Sequence, residues 1–173
     1  MIDIRPEEAH DIPAISELHR SAFGGDIEVK IVEAVRASPE FIRDLSLVAV
    51  KDRRVVGHIL LSLIHIETVA LSSPALALAP IAVLPGCQKR GIGSLLVVEG
   101  LRRCRGLGHS IVVVVGEPSF YTRFGFTPAR VRGLEAPFPV PDEAFMVLEL
   151  QGGAPGGIKG MVCYPRPFLA GLE

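Results

Sequence analysis

Tryptophan is absent and tyrosine occurs only at positions 121 and 164, so any role that needs an aromatic hydroxyl has two candidates. The three cysteines, Cys87, Cys104 and Cys163, form neither a CxxC nor a zinc-type spacing. They are expected to be reduced thiols, and the expected location is the cytoplasm. No charge of one sign dominates: 18 basic residues face 19 acidic ones, which argues against nucleic acid as a bulk partner. No apolar run reaches the ~20 residues of a membrane span. The longest, 55–66 and 75–84, are interrupted by His, Ser or Pro, so no membrane partner is expected. The start, Met1-Ile2-Asp3, opens a short strand and not a basic-then-apolar export leader. His10, His19, His65 and His109 show no ligand spacing, and no metal is expected.

What the chain has is hydrophobic mass and one glycine-marked junction. Its 173 residues, 49% of them hydrophobic, predict a single domain, 1–173, with a sheet buried on both sides. Residues 80–94 run from an apolar strand through a Pro/Gly turn to Gln88-Lys89-Arg90-Gly91-Ile92-Gly93-Ser94, where an apolar helix opens. Helix starts leave amides without intrahelical acceptors, and the aligned peptide dipoles make that end partly positive. Glycine lets an anion approach the backbone, and Lys89 and Arg90 add full charges. The segment reads as a main-chain cradle for a pyrophosphate. Two better-known glycine motifs are missing. Gly91 and Gly93 are followed by Leu96 where a dinucleotide fold needs Gly or Ala, and no Gly-Lys-Ser/Thr follows as in a P-loop. A plain glycine-rich helix cap is the remaining alternative. Beside the cradle, Cys87 is either a thiol activated by the helix start or a passive small side chain.

Periodicity gives the order of elements. A strand at 2–5 precedes a helix capped by Asp11, with Pro13 in its first turn and Ile12, Ile15, Leu18 and Ala22 on one side. Asp26 caps a second helix with the stripe Ile27, Ile31, Val35. Strands 45–50 and 55–66 form a hairpin whose second strand puts His58 and Ser62 on one face. A strand at 76–83 feeds the cradle. Val97, Leu101 and Cys104 stripe the helix after it, with Glu99 and Arg103 paired on its other side. The β-branched run 111–115 is a central strand. Pro118 starts a short helix carrying Phe120, Tyr121 and Phe124. Strands 145–150 and 159–164, joined by the glycine-rich 152–157, close the chain. The fold class is α/β, a central mixed sheet with helices on both faces.

This order, the Gln-x-x-Gly-x-Gly of Gln88–Gly93 and three further segments resemble the GNAT superfamily of N-acetyltransferases along essentially the whole chain. The further segments are 56–62 (VGHILLS), 79–85 (APIAVLP) and 121–126 (YTRFGF). Within the superfamily the chain is similar to the YhbS-like group of predicted acetyltransferases, which Gly160–Phe168 also fits. The resemblance implies acetyl-CoA as cosubstrate and acetyl transfer to a primary amine whose identity stays open. It assigns the pyrophosphate to the amides of Gln88 through Ser94. The pantetheine arm would pair with main chain at Ile81, Ala82 and Val83, beside a splay between that strand and 111–115. A backbone N–H at Ile81 or Ala82 would face the developing oxyanion.

Tyr121, four residues before Gly125, stands where the family pattern has the acid that protonates the departing thiolate; packing between Phe120 and Phe124 is the alternative. Glu117 is the base candidate, or else a helix N-terminal carboxylate, with His58 and Glu28 weaker and a water chain also able to serve. The acceptor wall would come from the first two helices, the Gly24–Asp26 loop and a Pro-rich lip at Gly133–Pro141. A homodimer through edge strands or the closing hairpin is expected. From another class, a module that senses acyl-CoA without turnover is the competing reading.

Overall fold

A computed structural model of the chain describes residues 1–151 and 159–172, so the 152–157 connection lies outside the described residues. These residues gather into two compact units. One comprises Met1–Ser62, Ala79–Arg103 and Arg166–Glu173, the other Leu63–Leu78 and Cys104–Pro165.

In the first unit, β1 (Asp3–Pro6) runs antiparallel to β2 (Ser46–Lys51), which pairs antiparallel with the first part of β3 (Arg54–Glu67). Asp52 and Arg53 connect β2 to β3 with φ of 51° and 63°, the left-handed backbone that a two-residue hairpin needs to match strand twist. Alternation on β3 gives each face its own helix layer. Leu60 packs with Ile15 of α1 (Ile12–Phe23), Val32 and Val35 of α2 (Ile27–Arg36) and Val48 of β2. Phe168, from the 3₁₀ segment Arg166–Leu172, packs against this cluster. The odd positions meet α3 (Ile92–Gly106). A Cβ on Gly57 would come within 3.0 Å of Leu96 and 3.1 Å of Ile92, and one on Gly100 within 3.0 Å of Leu61. Glycine at both contacts lets helix and strand backbones approach closely. The α3 stripe is as expected: Val97, Leu101 and Cys104 are buried, and Glu99 takes Arg103 at 3.1 Å as well as Arg102.

In the second unit the first part of β4 (Ser72–Val83) lies parallel to β5 (Ile111–Val115), in register at Leu76↔Val112 and Ala77↔Val113. β5 is antiparallel to β8 (Phe145–Glu149), which also pairs with the two-residue β6 (Thr127–Pro128). The end of β3 pairs antiparallel with β9 (Gly160–Cys163), itself parallel to the short β7 (Leu134–Glu135). Parallel and antiparallel ladders with packed helices make the mixed α/β architecture that the sequence predicts.

Three local expectations are corrected. Asp11 and Asp26 occupy helix N-cap positions without a side-chain capping bond. Asp11 instead accepts Arg5 at 2.7 and 3.1 Å and the Glu8 amide at 2.8 Å, and Asp26 accepts Arg20 at 2.7 Å. A guanidinium within reach outcompetes an amide for an ionised carboxylate. The buried stripe of α2 is Val29, Val32 and Val35, while Ile27 is half exposed, so the helix is rotated from the expected face. Finally, β8 and β9 are not hairpin partners. β8 pairs with β5 and, at Met146 and Val147, with the short β6, while β9 pairs with β3 and β7.

Candidate active site

The loop after β4 is built from short local bonds. The Leu84 amide donates to Val56 O at 2.9 Å, and the Cys87 amide donates to Leu84 O at 2.8 Å, closing the 3₁₀ turn Pro85–Cys87. The Gln88 amide group reaches back to Val83 O at 3.1 Å, tying the loop to the strand end. Lys89 and Gly91 then take left-handed φ of 63° and 83°. The Gly91 carbonyl accepts the Leu95 amide at 3.1 Å, which makes Gly91 the N-cap of α3 and puts Ile92 and Gly93 in its first turn.

A Cβ on Gly91 would meet nothing within 4 Å, so the space over the helix start is open to a ligand and closed only by a side chain placed there. Lys89 and Arg90 are exposed and make no ion pair among the described residues. Ser94 is half buried, as are Ile81 and Val83, with Ala82 buried between them. Open space, a positive helix end and two uncommitted cations suit a pyrophosphate. Cys87 is a half-buried free thiol in the 3₁₀ turn. Cys104 is buried, and desolvation pushes its thiol up to about 12.

In the second unit, β5 ends at Val115 and α4 (Pro118–Tyr121) starts three residues on. Tyr121 is only 6% exposed, its ring 4.9 Å from Phe120 and 5.6 Å from Phe126. Gly116 makes room for it, since a Cβ there would lie 2.5 Å from the Tyr121 ring. Burial pushes the phenol up to about 12, so it carries its proton throughout the physiological range. Glu117 is exposed at the N-cap of α4 and accepts the Ser119 hydroxyl at 3.3 Å. Arg130 pins the Pro-rich segment through Val140 O at 2.8 Å and Asp142 at 2.6 Å, leaving Phe138 40% exposed against Tyr164.

A buried polar chain in the first unit was not foreseen. His58, wholly buried, places Nε2 2.9 Å from Ser46 Oγ and Nδ1 2.9 Å from His19 Nε2. Ser46 bonds Glu7, and Arg36 grips the same carboxylate at 2.7 and 3.0 Å. Burial pushes the Glu7 carboxyl up, but His58, Arg36 and Ser46 outweigh it and hold the group at about 2. Glu7 is therefore an anion that only accepts, which fixes every bond behind it. Ser46 donates to Glu7, His58 Nε2–H donates to Ser46, and His19 Nε2–H donates to His58. Desolvation keeps both rings neutral, with His19 at about 3. His19 Nδ1 ends the chain as a buried acceptor with no donor among the described residues. Glu7 and Ser46 are 39 residues apart, so no local pattern announces them. His58 thus serves the core and is no base candidate, while Glu28 sits half-buried in the first turn of α2. Glu8, His10 and Asp11 bring ligand-type atoms within 4.8 Å of one another, but both Asp11 oxygens already hold Arg5.

Comparison with known proteins meets this geometry. The acetyltransferase (GNAT) domain family matches residues 3–129, a span that takes in residues of both units. An uncharacterized N-acetyltransferase of Escherichia coli K12, YhbS, is 34% identical over 166 residues, covering 95% of this chain and 97% of its own. The crystal structure of E. coli YhbS in complex with CoA superposes with a TM-score of 0.88 at 32% identity, over 96% of this chain and 91% of that one. A Brucella melitensis GNAT acetyltransferase in complex with acetyl-CoA gives a TM-score of 0.80 at 31% identity, over 97% and 98% of the two chains.

Proposed function

The chain belongs to the GNAT family of acetyltransferases, and on that premise we propose that it works as one domain, 1–173, transferring an acetyl group from acetyl-CoA to a primary amine. The observation that carries the reading is the loop at the head of α3, where Lys89 and Gly91 turn left-handed and the space a Cβ would fill is open. Amides from Gln88 to Ser94 bind the pyrophosphate there, with Lys89 and Arg90 adding charge. Main chain at Ile81, Ala82 and Val83 aligns the pantetheine arm as an added strand would.

Acetyl-CoA supplies an activated thioester. The amine attacks the carbonyl carbon, the carbon–sulfur bond breaks, and the thiolate takes the Tyr121 hydroxyl proton. A phenol raised to about 12 is a weak acid, but it never lacks its proton at neutral pH. Glu117, exposed beside α4, takes the proton the amine sheds, directly or through water. A backbone N–H at Ile81 or Ala82 donates to the oxyanion. The acceptor meets the lip around Phe138, an aromatic surface formed with Tyr164.

The test is release of CoA thiol from acetyl-CoA across polyamines, aminoglycosides, amino acids and N-terminal peptides. At least one amine should accelerate it well above hydrolysis. Tight acetyl-CoA binding with no acceleration by any class would leave the competing reading, a non-catalytic acyl-CoA sensor. The assembly we carry forward is a homodimer, paired through edge strands or the closing strands; a monomeric mass by light scattering at high concentration would reject it.

A further inference from the structure

The first unit holds an open cavity of about 470 Å³, to which no residue of the acetyl-CoA loop contributes. Val50, Val55 and the exposed side of Ala14 make its apolar surface, while β1, the turn before α1 and the β2–β3 turn with the start of β3 supply charged groups around it. Those charges do not cancel. Arg5 is consumed by both oxygens of Asp11, at 2.7 and 3.1 Å, a closed neutral pair. His10 sits 3.4 Å from Asp11 and from Glu8. Arg53 and Arg54 also line the cavity, exposed and without an ion pair among the described residues. The acidic groups of the neighbouring segments, Asp52 in the turn, Asp3 on β1 and Glu8 beside His10, form no ion pair with either guanidinium group among the described residues.

The turn that presents them carries its own signal. Both central residues are left-handed, Asp52 at 51° and Arg53 at 63°. Asp followed by Gly suits such a turn; a long side chain at the second position is the disfavoured choice. Strain held where a glycine would relieve it points to a use for the side chain. An open cavity of a volume usual for small ligands, with Val50, Val55 and Ala14 as its apolar side and two spare planar donors, matches one chemistry.

We propose that this cavity binds a small organic anion, a carboxylate or phosphate ester on an apolar body, with Arg53 and Arg54 as its charge partners. The site is separate from acetyl transfer and does not depend on that reading.

The experiment is calorimetric titration of the full chain with benzoate and phenyl phosphate, with benzyl alcohol and benzylamine as uncharged and cationic controls. Each titration is run with and without saturating CoA. At least one anion should bind, at least tenfold more tightly than either control, with CoA making no difference; the two anions distinguish carboxylate from phosphate. Arg54→Ala and Arg53→Gly should each weaken binding about tenfold, the usual loss for one charged partner. Arg53→Gly separates function from fold, because relieving the left-handed strain should leave Tm unchanged or raised. A double Lys89→Glu, Arg90→Glu variant should bind the probe as the parent does. Equal affinity for benzyl alcohol, full binding by Arg53→Gly, or displacement by CoA would each overturn the site.

Discussion

Tyr121 and Gly116 carry the mechanistic claim at the scale of single residues. Tyr121→Phe keeps the ring packing against Phe120 and Phe126 and deletes only the proton donor. Turnover with a competent amine should fall by ~10²-fold while acetyl-CoA affinity stays level. Parent-like turnover would return Tyr121 to a packing role and leave the thiolate to water. Gly116→Ala tests position rather than chemistry. Its Cβ would lie 2.5 Å from the ring, so Tyr121 must move. Stability should drop by about 1–3 kcal/mol, the range for overpacking, and turnover should fall further than acetyl-CoA affinity. Unchanged steady-state kinetics in Gly116→Ala would show that the placement of Tyr121 is irrelevant. The glycine contact with the ring is one that no spacing rule reveals, whereas the proposal for Tyr121 comes from the six-residue context Tyr121–Phe126.

Between elements, the buried chain from Glu7 to His19 joins the segment after β1 to α1, α2, β2 and β3. It makes the fold sensitive to acid in a defined direction. His19 is held at about 3 against an ordinary 6.5, so between these values the unfolded chain binds a proton that the folded one refuses. Stability should fall as pH drops below 6.5, at about 1.4 kcal/mol per unit from this ring while it titrates. Glu7, held at about 2 against 4.5, acts in the same sense and adds its loss below 4.5. Urea midpoints should hold nearly level from pH 7.5 to about 6.5 and decline from there to pH 4, and a flat profile down to pH 4 would contradict the neutral-histidine assignment. Glu7→Gln leaves Arg36 without its anion and should cost about 3 kcal/mol, as broken buried ion pairs do.

Most elements were readable from periodicity. The 111–115 run became β5 at the same bounds, and the hairpin, the α3 stripe and the helix at Pro118 stand where the sequence put them. What failed was non-local. Arg5 and Arg20 took Asp11 and Asp26 from their helix ends, the face of α2 turned by about one residue, and the pairing of β8 and β9 followed the sheet and not the chain order. The Glu7–Ser46–His58–His19 row was invisible for the same reason, since its members come from four separate segments.

At the scale of the whole molecule, acetyl-CoA is proposed to bind at the loop entering α3. Charge should contribute in a screened manner, because Lys89 and Arg90 are exposed. Reversing both should weaken acetyl-CoA binding at low salt and much less at high salt; equal losses at both would assign their effect to structure. No helix among the described residues is long and apolar enough to cross a membrane. The most direct measurement is calorimetry of acetyl-CoA on Gly91→Val, with the fold checked by circular dichroism and the melting curve. The valine would fill the open space over the helix start, at a backbone φ of 83° that its Cβ already strains. Gly93→Val, two residues further on in the first turn of α3, serves as the second variant if Gly91→Val does not fold. The prediction is a folded protein with acetyl-CoA affinity reduced at least ~100-fold, about 2.7 kcal/mol. Parent-like affinity in a folded Gly91→Val or Gly93→Val would contradict the account.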